Sequence, residues 1–183
     1  MVKRQAFKLS ENRGNNMKIE LKNIKTNMAL SHETICFSAN LYLDGKKLGE
    51  VVNRGCGGSH EYTFGYGKEH DLMDDWCKSN LPKWGSEFEE GKEYDTDLEM
   101  HLSELVNEFN VNKHMKSLLK RRIVIIDDTC NVGESIQWKK SANHSDEVLI
   151  KLILGNNKDL KNPIVLNEYS PIEADKLLHR ENK

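Results

Sequence analysis

The segment Asn53-Arg-Gly-Cys-Gly-Gly-Ser-His60 brings a thiol, an imidazole, a guanidinium and three glycines into eight residues, and that combination admits three chemistries. Cys56 activated by His60, with Glu61 or Asp71 orienting the ring and the Gly57 and Gly58 amides as an oxyanion hole, would make a small covalent hydrolase acting on nucleotides or peptides. The same glycine amides with Arg54 beside them would hold a phosphate. Cys56, His60 and His70, completed by Cys77 or His32, would make a tetrahedral metal set. Each pattern is incomplete. The run is neither a GxxxxGK[ST] loop nor a GxGxxG opening a helix, it lacks zinc spacing, and Cys77 falls on the apolar stripe of a helix, where a reduced cysteine is ordinarily a small core residue. The plain alternative is a turn in which only glycine fits the backbone. The sequence therefore assigns no metal, no cofactor and no catalytic residue. Its expected ligand-contact residues are His32, Glu33, Arg54, Cys56, Gly57, Gly58, His60 and Tyr62.

His32 and Glu33 belong to this set because of the strands that must position them. Ile35, Phe37, Ala39, Leu41 and Leu43 alternate with polar residues as one face of a strand, and Asp44-Gly45 supplies a two-residue turn that sends the chain back through Leu48 to Val52. The Gly-rich loop follows the returning strand, so it should lie beside the start of the first one, where Ser31-His-Glu-Thr34 sits. The competing reading of Ser31-His-Glu-Thr34 is a polar lead-in whose side chains bond local backbone. Around this region, Tyr62, Phe64, Tyr66, Trp76 and Trp84 can stack a base or cover a core. The basic run Lys113, Lys116, Lys120, Arg121 and Arg122 can touch phosphates or complement a helix C-terminus.

Met17-Lys-Ile-Glu-Leu-Lys-Asn23 begins a first alternating strand, giving a three-strand antiparallel opening over residues 17–53. Leu72, Met73, Trp76 and Cys77 form the stripe of a short helix that Leu81-Pro82 ends. Residues 85–95 are acidic and irregular, an exposed connection that can imitate a phosphate backbone. Thr96-Asp-Leu-Glu99 has the spacing of a capping box and starts a long helix, with Asn110 and Asn112 marking a break in it. Arg122 to Asp127 is a buried strand paired with Ser135 to Lys139 across a turn at Gly133. Residues 146–154 fit either periodicity, and Ser145 as cap with Gly155 as stop favours helix. Pro163 to Asn167 is a strand, and Ser170-Pro-Ile-Glu173 caps a last helix. The fold class is α+β: an N-terminal antiparallel hairpin or three-strand sheet packed with several helices, then β-β and α-β-α elements at the C-terminal end. Arg13-Gly14 back-translates to a purine-rich, ribosome-binding-like stretch upstream of the Met17 codon. Residues 1–16 are accordingly expected to be a leader, disordered or not natively translated, with a single α+β domain over 17–183.

Composition limits the function classes. The chain has 183 residues, 31% of them charged, with 27 basic against 29 acidic side chains for a formal charge of -2. Its mean hydropathy is -0.69. That balance supplies no global attraction for a nucleic-acid backbone, so sequence-independent nucleic-acid binding is disfavoured, and direct sequence-specific nucleic-acid binding is not expected either. No membrane span and no secretory signal are expected. Four scattered cysteines without a CxxC pair read as reduced thiols of a cytoplasmic protein.

Met17-Lys-Ile-Glu-Leu-Lys-Asn-Ile-Lys25, Ser31-His-Glu-Thr-Ile-Cys-Phe37, Leu41-Tyr-Leu-Asp-Gly-Lys46, Asn53-Arg-Gly-Cys-Gly-Gly58, Leu105-Val-Asn-Glu-Phe109 and Ile164-Val-Leu-Asn167 resemble a family of uncharacterised small proteins encoded by tailed phages and prophages. The resemblance covers nearly everything after Met17. Members often show Gly-His-Gly-Gly where this chain has Gly55-Cys56-Gly57-Gly58, which separates a Cys56 nucleophile from any mechanism shared by the family. The resemblance implies an accessory bacteriophage-type (viral) protein working in a bacterial host cytoplasm, non-catalytic, that binds and inhibits or sequesters a host defence component, either a host protein or a small nucleotide signal. The Cys56/His60 hydrolase is the alternative, and a virion component ranks below both. Homo-oligomerisation stays open.

Overall fold

The structure, a computed structural model, describes residues 17–85 and 91–180. The fold is α+β and divides into two compact units, the division falling between Val106 and Asn107. Among the described residues no helix is long and apolar enough to cross a membrane.

The first unit is built on a four-stranded antiparallel sheet in the order β1 (Ile19–Thr26), β2 (Phe37–Leu43), β3 (Lys46–Asn53) and β4 (Glu61–Tyr62). Alternation does what it should: Phe37, Ala39, Leu41 and Leu43 are buried and their neighbours are not. Asp44 and Gly45 both take positive φ, 50° and 78°, the mirror-image turn that matches the twist of paired strands. The fourth strand is an addition to the expected three. Its two residues form too short a run to carry a period, and only pairing with Val51 and Val52 makes them a strand.

Helix α1 (Lys68–Asn80) buries Met73 and Cys77 against this sheet's apolar face, together with Leu98, Leu102 and Val106 of α2 (Leu98–Arg121). Between them, β5 (Trp84–Gly85) and β6 (Glu93–Tyr94) form a small hairpin with the Trp84 and Tyr94 rings stacked at 4.9 Å. Two short strands thus occupy the described ends of the connection expected at 85–95 to be irregular. Its Glu87, Glu89 and Glu90 lie outside the described residues.

The start of α2 corrects the capping assignment. Asp97, not Thr96, is the cap: its Oδ1 accepts from the Met100 amide at 2.8 Å. Thr96 is buried and donates its hydroxyl to the Pro82 carbonyl at 2.5 Å. A second carboxylate helps, since Asp74 Oδ1 accepts from the Leu98 amide at 2.9 Å. The expected break at Asn110 and Asn112 is absent, and α2 runs continuously for 24 residues.

In the second unit β7 (Arg122–Ile126) is the central strand between β8 (Ile136–Lys139) and β9 (Ile164–Val165), both antiparallel to it. One face of β7 carries Ile123 and Ile125 toward α3 (Asp146–Asn156), and the other carries Val124 and Ile126 toward Ala174 of α4 (Pro171–Leu178) and toward Leu166, which precedes that helix. The ambiguous segment is helix: Ser145 Oγ accepts from the Val148 amide at 3.4 Å. The strand expected at 163–167 is only two residues long and passes into a 3-10 turn, Leu166–Glu168. Ser170 and Glu173 complete the expected capping box.

Substituting Asp97 by Ala should lower stability by about 1 kcal/mol through loss of a cap. Glu99→Ala should cost no more than about 0.5 kcal/mol, the loss of one carboxylate near a helix N-terminus that does not cap it. Urea unfolding of the two variants distinguishes the caps.

Candidate functional site

At one end of the four-stranded sheet Thr26, Phe37 and Asn53 stand in register, and two loops leave from that row. The first, residues 27–36, closes on itself. Asn27 Oδ1 accepts from the Ala29 amide at 3.1 Å, and Ser31 Oγ donates to the Asn27 carbonyl and accepts from the Cys36 amide, each at 2.9 Å. This closure fixes a 3-10 turn, Met28–Leu30, that buries none of its residues. Met28 is 65% exposed and Leu30 52%.

The second loop, residues 54–60, is locked to the first. Gly55 offers one carbonyl oxygen to three successive amides, His32 at 2.9 Å, Glu33 at 3.0 Å and Thr34 at 3.5 Å. Such a concavity of consecutive N–H groups suits an anion, and here the chain's own carbonyl fills it. Asn53, 2% exposed, is the hub. Its Oδ1 accepts from the Thr34 hydroxyl at 2.7 Å and the Gly55 amide at 2.8 Å, while Nδ2 donates to the Gly58 carbonyl at 3.0 Å. The Gly57 amide donates to Thr34 Oγ1 at 3.4 Å. Gly55 has φ +83°, and a Cβ there would stand 2.2 Å from the Leu30 carbonyl oxygen. Gly57 has φ +79° and would meet Glu33 Oε2 at 2.0 Å, whereas Gly58 faces open space. Glycine is required at 55 and 57 and not at 58.

The structure thus brings Ser31-His-Glu-Thr34 and the Gly-rich loop together, with His32, Glu33, Cys56, Gly57 and Gly58 exposed. Other expected residues have different surroundings. Arg54 forms a two-pronged pair with Glu61, Nε to Oε1 at 2.7 Å and Nη2 to Oε2 at 3.0 Å, so its fork is occupied. That hydrogen-bonded pairing raises the guanidinium pKa and lowers that of the carboxylate. The Cys56 thiol donates only weakly, to the Arg54 carbonyl at 3.7 Å. His60 is 2% exposed, lies edge-on to Phe37 at 5.1 Å, and has Nε2 3.3 Å from Ser103 Oγ of α2. No hydrogen bond among the described residues joins Cys56 to His60. The proposed ring-orienting carboxylates are elsewhere too: Glu61 holds Arg54, and Asp71 lies 3.4 Å from His70 Nδ1.

Tyr62, buried on β4, has Phe64, Tyr66 and His70 rings around it at 5.2 to 5.4 Å. The Tyr66 hydroxyl donates to the His60 carbonyl, tying this aromatic group to the loop. Burial first, then Glu99, pushes the Tyr62 phenol above its ordinary range. Burial lowers the His60 pKa against the opposing pull of Glu99 and Asp97, so its neutral form is favoured. Cys77 lies in the core with its thiol pushed up to about 12 by burial and by Asp74 and Asp97. Among the described residues no three His, Cys, Asp or Glu side chains come together as a metal set.

Sequence reasoning missed Asn53 as the hub and Ser103, Met28 and Leu30 as members of the region. An Asn two residues before a glycine that needs positive φ is a local turn signal that marks Asn53. Nothing local marks Ser103, which arrives from 43 residues away.

Asn53→Ala should cost about 3 kcal/mol by orphaning buried donors and acceptors. Gly55→Ala should destabilise comparably, while Gly58→Ala should stay within about 1 kcal/mol; urea midpoints of the three order them. For His60, the folded pKa lies below the unfolded value of about 6.5, so its contribution is complete above that pH and falls as the pH drops toward the folded pKa. Stability measured from pH 8 down to pH 5 should decline with a slope that His60→Gln flattens, and the imidazole resonance should titrate below about 6.5.

Comparison with protein-family models, with curated proteins and with solved structures finds no match to this chain.

Proposed function

We propose that this chain is a non-catalytic, phage-type accessory protein that binds and inhibits a host defence protein through the interlocked loops 27–34 and 54–59. The observation that carries the reading is the internal saturation of the loop pair: the nest formed by residues 32–34 and the Asn53 carboxamide are already engaged within the protein. A surface ordered before it meets its target loses little conformational entropy on binding. It presents Met28 and Leu30 as apolar anchors beside the polar side chains of His32 and Glu33, the mixture of anchor and rim that protein interfaces use. The phage context rests on the resemblance of the sequence segments described above.

The same saturation favours a protein over a nucleotide signal, because the Gly55 and Gly57 amides and the Arg54 fork are already occupied. It also favours binding over hydrolysis, because the buried His60 is bonded to Ser103 and not to the exposed Cys56 thiol.

A photo-crosslinking residue at Ala29 should yield one host adduct in bacterial lysate, and the purified target should then bind reversibly. Met28→Asp with Leu30→Asp should weaken that binding about a hundredfold, as loss of two apolar anchors implies. Cys56→Ala should change it less than about twofold. Unchanged affinity in the double variant rejects the surface, and a hydrolytic activity abolished by Cys56→Ala rejects the non-catalytic reading.

A further inference from the structure

In the second unit β8 is the outermost strand of the sheet β8-β7-β9, and its pairs with β7 run in unbroken register from Arg122 opposite Lys139 to Ile125 opposite Ile136. The neighbouring bonds fix the phase of this ladder. Lys140 donates its amide to the Arg121 carbonyl at 3.1 Å. Antiparallel pairs alternate between bonded and non-bonded, so Trp138 and Ile136 are the residues that bond β7. The other side of β7 agrees: the Val124 amide and the Arg122 carbonyl, opposite Gln137 and Lys139, both turn to the Asn167 side chain. The peptide groups of Gln137 and Lys139 therefore point out of the sheet edge, and among the described residues no hydrogen bond reaches them.

An open edge pairs with further strands unless bulges or charges blunt it. β1, at the edge of the first sheet, is blunted by a bulge flanked by Lys22 and Lys25, whereas β8 is regular and carries the single charge of Lys139. Its sequence complements itself. If β8 meets β8 of a second chain antiparallel about a two-fold axis at Gln137, the two Gln137 peptide groups bond each other and Ser135 bonds Lys139 on either side. Ile136 then stands opposite Trp138 twice, at the close spacing of about 4.5 Å between Cα atoms, an aliphatic-aromatic pair of the kind that stabilises sheets. Lys139 faces Ser135 and meets no like charge. An axis at Trp138 would instead set Ile136 against Lys140, and an axis at Lys139 would set two lysines face to face. Trp138 packs with Ile123, Ile125 and Ile153 on the face covered by α3, a helix that leaves Val148 and Leu152 exposed. The two-fold axis brings the second copy's α3 onto that same face of the joined sheet.

We propose that β8 docks a second copy of this chain, strand to strand, with Gln137 on the symmetry axis and the two three-stranded sheets continuous across it. This surface belongs to the second unit and does not rest on the reading of loops 27–34 and 54–59.

Light scattering on the full-length protein should report a dimer that dissociates on dilution. In a mixture of isotope-labelled and unlabelled chains, filtered NMR should show a contact between the Hα protons of Ile136 and Trp138 on different copies. Within one chain these protons are roughly 7 Å apart along the strand, too far to give it. Gln137 is exposed, so Gln137→Lys and Gln137→Glu remove no core contact, and each sets like charges against each other only across the axis. Each should weaken association at least about tenfold, and mixing the two variants should restore it. A chain that stays monomeric up to about 1 mM, a dimer without the Ile136–Trp138 contact, or single variants that associate like the parent overturn the proposal.

Discussion

The buried carboxamide of Asn53 is the interaction on which the candidate surface depends. A primary amide has both an acceptor oxygen and donor hydrogens, and Asn53 uses them in opposite directions, taking protons from Thr34 and Gly55 and giving one to Gly58. Aspartate has the oxygen without the donor, and leucine has neither. The hub also sits in the last residue of β3, paired with Phe37, so sheet register sets its position and the loops inherit that precision. The strands are therefore the reference frame for the exposed groups, and the Gly55 carbonyl lodged among three amides is its outward extension.

The second unit solves a similar problem with different groups. Asp127, 2% exposed, accepts from the Thr129 hydroxyl and amide, the Lys161 amide and the Cys130 thiol. These donors, the Thr129 hydroxyl foremost, hold its carboxyl well below the usual carboxylate range. In both units one polar side chain, nearly withdrawn from water, organises a turn that no regular secondary structure supports.

What could be read in the residues followed the range of the forces involved. Alternation placed Phe37, Ala39, Leu41 and Leu43 in the core, Asp44-Gly45 marked its turn, and Ser170 with Glu173 marked a helix start, because each signal lies within a few residues of its effect. The convergence of Ser31-His-Glu-Thr34 with the Gly-rich loop was legible from hairpin topology alone. Thr96 and Asp97 are both competent caps, and the choice fell to a tertiary contact, the Pro82 carbonyl that takes the Thr96 hydroxyl. Asn110 and Asn112 marked a break on propensity, yet α2 passes through both without interruption. Cys56 and His60, four residues apart, invite pairing. The burial of His60 against Phe37 and its bond to Ser103 depend on strands and a helix that the local pattern does not contain.

Helix α2 passes into β7 with no intervening residue, Arg121 ending one and Arg122 beginning the other. The carbonyls of Leu119 and Arg122 and the amide of Val124 at this junction are served by the single side chain of Asn167. On a ribosome that side chain is made more than forty residues after the groups it serves. The nascent junction must rely on water or transient partners until Asn167 emerges, and β9, which also completes the sheet around β7, emerges with it. The order of synthesis thus delays closure of the second unit until residues 164–167 have been made, whereas the strands of the first sheet are all available by Tyr62.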